Sequence, residues 1–148
     1  VGGADASPKR VTRVELIVAT RGAEELVDVT ERVQKALAEL DLTDGVALIY
    51  VPHTTAGVTI NEGADPAVRR DLLAALARIV PADLPYEHDE GNSPAHVKAS
   101  LVGSSVHVPV EDGALRLGRW QSVYLCEFDG PRSRKLWVSA GGNPSAAK

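Results

Sequence analysis

Val14, Leu16 and Val18 alternate with Arg13 and Glu15, a period of two that predicts a first strand from Val11 to about Thr20. A turn at Arg21-Gly22-Ala23 leads to a short second strand, Glu25 to Val29, expected to fold back on the first as a hairpin. The period then changes to that of a helix. Val33, Leu37 and Leu40 share one face of a helix from about Glu31 to Glu39, with Asp28 or Thr30 as its cap. After the turn Thr43-Asp44-Gly45, the continuous apolar run Val46 to Val51 reads as a central strand buried on both faces. Val58-Thr59-Ile60 returns to strand-like alternation. Asp65 as N-cap and Pro66 as first residue open a second helix, where Val68, Leu72, Leu76 and Ile79 repeat at helical spacing until Pro81 stops it. From Pro81 to Gly91 the chain is a polar loop. A third, short helix opens at Pro94, capped by Asn92 or Ser93, and ends at Gly103. The remainder is strand: Ser105 to Val110, a hairpin turn at Glu111-Asp112-Gly113, a return through Leu115 and Leu117, Ser122 to Phe128, and Arg134 to Ser139.

Three helices in the first two thirds and a closing antiparallel meander predict an α+β fold, a single compact domain over residues 10–140 with an antiparallel-rich sheet or sandwich. Residues 1–9 and the tail 141–148 are small and polar and are expected to be loose. A length of 148 residues suits one domain that needs no staples. The net charge of −4 argues against a general nucleic-acid binder, and no apolar run approaches a membrane span. One cysteine, Cys126, lies in the apolar run Val123-Tyr124-Leu125-Cys126. It reads as a buried, inert thiol, and with no leader pattern at the start the expected compartment is the cytoplasm. Neither a phosphate-binding nor a dinucleotide glycine loop occurs, and no organic cofactor is evident.

The candidate chemistry centres on histidines. His88 and His96 bracket Asp-Glu-Gly-Asn-Ser-Pro-Ala, and a turn at Gly91-Asn92 can fold one ring toward the other. His53 follows the apolar strand in a His-Thr-Thr-Ala-Gly turn, where a scaffold presents reactive groups to a cleft. There it suits a ligand, a general base or a phosphate donor; the plainer alternative has Thr54 and Thr55 satisfying the turn while His53 faces water. Three histidines, His53, His88 and His96, on separate elements match a zinc site with an open fourth position, although their spacing is no recognised zinc pattern. Asn61 and Glu62 precede the second helix without an evident structural duty, whereas Asp65 has one as a cap. His107 alternates with Val106 and Val108 and reads as structural, and Trp120 and Trp137 as core or interface. The turn from Glu127 to Lys135 places Arg132 where a phosphate or carboxylate can be gripped bidentately; a solvated charged hairpin is the alternative.

These motifs together resemble the YjbQ family. The resemblance is carried by His53-Thr54-Thr55-Ala56 with Asn61-Glu62, by His88 through Gly91-Asn92 to Ala95-His96, and by Ser100-Leu101-Val102-Gly103-Ser104-Ser105. Leu117-Gly118-Arg119-Trp120-Gln121 and Glu127-Phe128-Asp129-Gly130-Pro131-Arg132 complete it. It implies a compact α+β domain assembled as a homotrimer, and a divalent metal, zinc or magnesium, near the histidines. It also implies a secondary thiamine-phosphate synthase activity that couples a pyrimidine methyl diphosphate to a thiazole phosphate and releases diphosphate. In that reading His53, Arg132, Thr54, Thr55, Asn61 and Asn92 hold the small phosphorylated substrate, while Glu62 holds a metal or a protonated ring nitrogen. The alternatives are a metal-dependent hydrolase, with Glu62 or Glu127 as base, and a non-catalytic trimeric ligand-binding protein.

Overall fold

A computed structural model describes residues 11–141. Apart from Gly141, the expected loose segments at either end lie outside the described residues. The elements are strands β1 (Arg13–Ala19) and β2 (Glu25–Asp28), helix α1 (Thr30–Glu39), strands β3 (Gly45–Tyr50) and β4 (Ala56–Glu62), and helices α2 (Pro66–Ile79) and α3 (Ser93–Val102). Strands β5 (Ser105–Glu111), β6 (Ala114–Leu115), β7 (Gln121–Glu127) and β8 (Ser133–Ala140) follow. The α+β class and the three helices stand as expected, and the sandwich alternative is the one realised.

The strands form two antiparallel sheets, one of five strands in the order β1-β8-β3-β5-β6 and one of three in the order β2-β7-β4. Their facing sides make the main core. Val14 and Val18 meet Ala47, Ile49, Val108, Leu136 and Val138 from the larger sheet, and Val58, Val123 and Leu125 from the smaller; α1 adds Val33, Ala36 and Leu37. A second apolar cluster, Leu26, Tyr124, Cys126 and Phe128 with Ala95 and Ala99 of α3, lies on the other side of the three-stranded sheet. Leu72, Leu73 and Leu76 of α2 pack against it half-buried.

Three expectations are corrected. β2 does not pair with β1; it pairs with β7, Glu25 opposite Glu127 through Asp28 opposite Tyr124. The partner of β1 is β8, from the other end of the chain. The last strands are likewise not a meander, since β7 belongs to the small sheet and β8 to the large one. Adjacent strands in sequence usually pair, but here the apolar faces are shared out between two layers, which local alternation cannot reveal. Third, β3 is central, yet it is buried on one face only: Ala47 and Ile49 are buried, while Val46 and Tyr50 are 37% and 40% exposed. The strand buried on both faces is β7, because α2 and α3 cover its outer side.

Helix boundaries follow the sequence closely. Asp65 caps α2 by accepting the Ala67 N–H at 2.9 Å, and Pro66 is its first residue. Asp28 accepts both the N–H and the hydroxyl of Thr30 just before α1. Asn92 is the residue before α3 but makes no side-chain cap bond, its amide being used elsewhere.

Candidate active site

One end of the sandwich collects the C-terminal ends of β1, β3 and β7, the starts of β4 and β8, and the N-terminus of α3. Alternation decides which charged residues enter the interior here. Glu127 continues the inward series Val123, Leu125 of β7, and Arg134 begins the inward series Leu136, Val138 of β8. The two therefore meet between the sheets, with Glu127 fully buried and Arg134 3% exposed. Arg134 Nε donates to both carboxylate oxygens at 2.9 and 3.0 Å, and its Nη2 closes the fork. Nη2 also donates to the hydroxyl of Thr55 at 2.8 Å and to its carbonyl at 3.2 Å. Glu127 accepts two further bonds, from the Thr20 hydroxyl at 2.7 Å and from the Asp129 N–H at 3.1 Å. Burial by itself pushes the Glu127 carboxyl up, but the bonds from Arg134, Thr20 and Asp129 and the Arg134 charge outweigh it. The group is held below its ordinary range. A buried, fully bonded carboxylate of this kind is a poor proton acceptor. Glu127, expected as a base, is instead one half of a strut between the sheets.

His53 sits on the turn that this strut supports. Its Nε2 accepts the backbone N–H of Lys135 at 2.8 Å. An amide N–H can only donate, so Nε2 carries no proton, and the ring is neutral with its proton on Nδ1. Partial burial, followed by the Arg134 charge, lowers the His53 pKa and favours the same state. His53 lines a cavity of about 280 Å³ with Thr54, His96, Ala99, Ser100 and Ser104. A larger cavity, about 420 Å³, lies along α1 beside Leu115 and Leu117 and contains no histidine.

His96 and His88 meet edge to face, with ring centroids 5.1 Å apart. His88 is exposed and stands 3.8 Å from the carboxylate of Glu90. His96 is thus the link among the three, sharing a cavity with His53 and a ring contact with His88. They do not form a three-nitrogen centre. Among the described residues no three His, Cys, Asp or Glu side chains are grouped so as to hold a metal ion, and one nitrogen of His53 is already taken. The arrangement within one chain does not fit the expected zinc site.

Asn92 and Arg132, which do not line that cavity, are joined through Asp129. Asn92 Nδ2 donates to Asp129 Oδ2 at 2.9 Å, and Arg132 Nη2 donates to the same oxygen at 2.7 Å. Arg132 Nε is also used, on the Asp129 carbonyl at 2.6 Å. About half of the Arg132 side chain remains exposed. Asn92 Oδ1 is buried without a partner.

Asn61 and Glu62 are not part of this cluster. They end β4 opposite Ser122 and Gln121, whereas Ala56, opposite Glu127, begins it. Six residue steps at ~3.3 Å each put them roughly 20 Å from the histidine end. They also have structural duties there: Asn61 Oδ1 accepts the Glu62 N–H, and Glu62 Oε2 accepts the Asp65 N–H. Trp120, read as core or interface, is 55% exposed at that same far end, with Arg119 over its ring. Trp137 is half-buried on the outer face of the large sheet, and His107 is exposed there too. Cys126 is buried as expected, and desolvation pushes its thiol up to about 12.

The residue that sequence reasoning missed is Arg134. It stood in the charged run from Glu127 to Lys135, where Arg132 drew attention. The signal available was alternation: Arg134 shares the inward parity of Leu136 and Val138, whereas Arg132 lies in the turn before β8 begins at Ser133.

Comparison with known proteins agrees with this fold and these motifs. Residues 14–143 match the family described as UPF0047 protein YjbQ-like. A UPF0047 protein of Methanocaldococcus jannaschii is 48% identical over 126 residues, covering 85% of this chain and 91% of that one. YugU, the UPF0047 protein of Bacillus subtilis, is 48% identical over 128 residues, covering 86% and 97%. Among solved structures, a YjbQ/UPF0047 protein of Clostridium acetobutylicum superposes with a TM-score of 0.84 at 48% identity, covering 86% of this chain and 99% of that one. A protein of Aeropyrum pernix gives 0.83 at 32% identity, covering 90% and 100%. The chain belongs to the UPF0047, or YjbQ-like, family.

Proposed function

We propose that the His53–His96 cavity binds a small phosphorylated molecule, and that the chain acts as a secondary thiamine-phosphate synthase-like transferase. The observation that carries this reading is the bond from the Lys135 N–H to His53 Nε2, which leaves Nδ1–H as a neutral donor on a ring that lines the cavity. Beside it stand the hydroxyl groups of Thr54 and Ser104, while that of Ser100 donates to the His96 carbonyl at 3.0 Å; Arg132 is exposed on the turn before β8. Donors of this kind suit an anionic leaving group. In the reaction, the thiazole nitrogen attacks the methylene carbon of the pyrimidine diphosphate. The new C–N bond forms as the C–O bond breaks, and diphosphate leaves with the electron pair.

The hydrolase alternative requires a metal-bound water, and the described residues of one chain form no group of three ligands for it. In the transferase reading a divalent ion accompanies the diphosphate, since magnesium is commonly held by substrate phosphate oxygens and water. A homotrimer belongs to the same reading. Among the described residues no element covers the outer face of the five-stranded sheet, which presents Ile17, Val46, Leu48, Tyr50 and Trp137 interspersed with Glu15, Lys135 and Ser139. A second copy of the chain is the proposed cover.

The test is to incubate the protein with hydroxymethylpyrimidine diphosphate, thiazole phosphate and magnesium, and to follow thiamine phosphate and released diphosphate by chromatography. Product from the wild type and a loss of roughly 10²-fold in His53→Ala are expected, the size usual for a positioned donor. Diphosphate binding without turnover would favour the non-catalytic protein; neither binding nor turnover would overturn the reading.

A further inference from the structure

We propose that Arg134 is a positioning residue for the cavity, fixing the direction and tautomer of His53 through the His53-Thr54-Thr55 turn and the first residues of β8. This goes beyond the family assignment and rests, in its binding arm only, on the phosphate reading above.

The Arg134 guanidinium holds several elements at once. It takes the carboxylate of Glu127 at the end of β7 and both oxygens of Thr55 at the start of β4. Through Glu127 it reaches the hydroxyl of Thr20 after β1, and Thr20 Oγ1 in turn accepts the Arg132 N–H at 2.8 Å. The Thr55 carbonyl also accepts the Phe128 N–H at 3.2 Å. Four strand ends are therefore registered against one buried planar cation. A surface hairpin would need nothing of the kind.

His53 lies two residues before Thr55, and its acceptor bond comes from Lys135, the residue directly after Arg134. The N–H that selects the His53 tautomer and the guanidinium that anchors the His53 turn thus belong to neighbouring residues of one strand. Tilting β8 or loosening the turn changes the distance between Lys135 N and His53 Nε2. Without that bond an imidazole has no reason to keep its proton on Nδ1, the nitrogen that would face a ligand's phosphate. A bidentate fork is required, because a lysine at this position has the charge without the geometry. A merely structural strut predicts lost stability and an unchanged tautomer. A positioning residue predicts a changed tautomer in a protein that remains folded.

The experiment uses the full chain with nitrogen-15 in its histidines. Long-range proton–nitrogen spectra at a pH where His53 is neutral report which ring nitrogen carries the proton. Calorimetry with inorganic diphosphate reports affinity. The wild type should show the Nδ1–H form. Arg134→Lys and the milder Thr55→Val should shift His53 toward the Nε2–H form and weaken diphosphate by roughly tenfold, the lower end for a supporting partner's loss. Thr55→Ser, which keeps the hydroxyl, should restore both. If Arg134→Lys does not fold, Thr55→Val decides alone. An unchanged tautomer in folded variants overturns the proposal. A wild type that ignores diphosphate but shows the tautomer shift in the variants supports positioning and removes only the phosphate reading.

Discussion

The two ring nitrogens of His53 differ: Nε2 accepts the Lys135 N–H, so the ring's proton sits on Nδ1. Its pKa is lowered, by burial first and by Arg134 next, so its contribution to stability has a definite sign. The unfolded state binds the proton more readily, and stability is therefore complete above the ordinary value of 6.5 and lost as pH falls below it. His53→Asn retains an acceptor for the Lys135 N–H without titrating. Urea midpoints of the wild type should drop more than those of His53→Asn between neutral pH and about pH 5; parallel curves would remove His53 from the account. Arg132 gives a second residue-scale expectation. Its bonds to Asp129 are largely exposed, so Arg132→Ala should cost no more than about 1 kcal/mol of stability. If its remaining donors reach phosphate, affinity for diphosphate should fall by roughly 1.5–3 kcal/mol. Calorimetry beside chemical denaturation separates the two, and an unchanged affinity would leave Arg132 as a brace for Asp129.

At the scale of elements, the informative contacts are those where two layers come closest. Gly57 in β4 is one: a Cβ there would lie 2.6 Å from the backbone oxygen of Gly103 and 3.1 Å from Val102 Cγ1. That same oxygen accepts the Val58 N–H at 3.1 Å, so β4 and the end of α3 cannot simply separate. Gly57→Ala should destabilise by roughly 1–3 kcal/mol, read from the urea midpoint, and should disturb the His96 side of the cavity. Glu127→Ala is harsher. It leaves Arg134 charged and unpaired between the sheets, and roughly 3–5 kcal/mol should be lost; a near-neutral result would mean that water reaches the guanidinium. The elements themselves were legible because capping and periodicity are local: Asp65-Pro66 opens α2 where expected, and Gly103 closes α3. Strand partners were not legible, since β1 finds β8 across the whole chain. Nor was the ion pair of Glu127, which depends on Arg134 meeting it from the opposite sheet. The histidine cluster was legible in part. His53 and His96 do share a cavity and His88 does touch His96, whereas Asn61 and Glu62 were drawn in by their place in a motif and lie at the other end of β4.

For the whole molecule, the two sheets are treated unequally. The three-stranded sheet has helices on its outer side, and its middle strand is buried on both faces; among the described residues the five-stranded sheet has no element on its outer side. What that open face carries is not ordinary solvated surface. Ile17 is 49% exposed, Val46 37% and Tyr50 40%, and Tyr50 stacks on Trp137 with ring centroids 5.8 Å apart. Arg13 lies 4.1 Å over the Trp137 ring, and Glu15 accepts the indole N–H at 2.9 Å, so the aromatic pair is held ready by its neighbours. Large apolar side chains set among Arg13, Glu15 and Lys135 on an open sheet face suit an interface with mixed apolar and charged contacts, and identical chains close most economically as a ring. The trimer proposal therefore yields a direct measurement. Ile17 and Val46 point away from the core, so Ile17→Lys with Val46→Lys should leave the circular dichroism spectrum unchanged. The same pair should convert a light-scattering mass of three chains into a mass of one, because each copy would then place cations against an apolar neighbour without a partner charge. A wild type that is already monomeric at micromolar concentration ends the proposal. A trimer unaffected by both lysines would move the interface to another surface, with the exposed Trp120 at the far end of β4 as the next place to look.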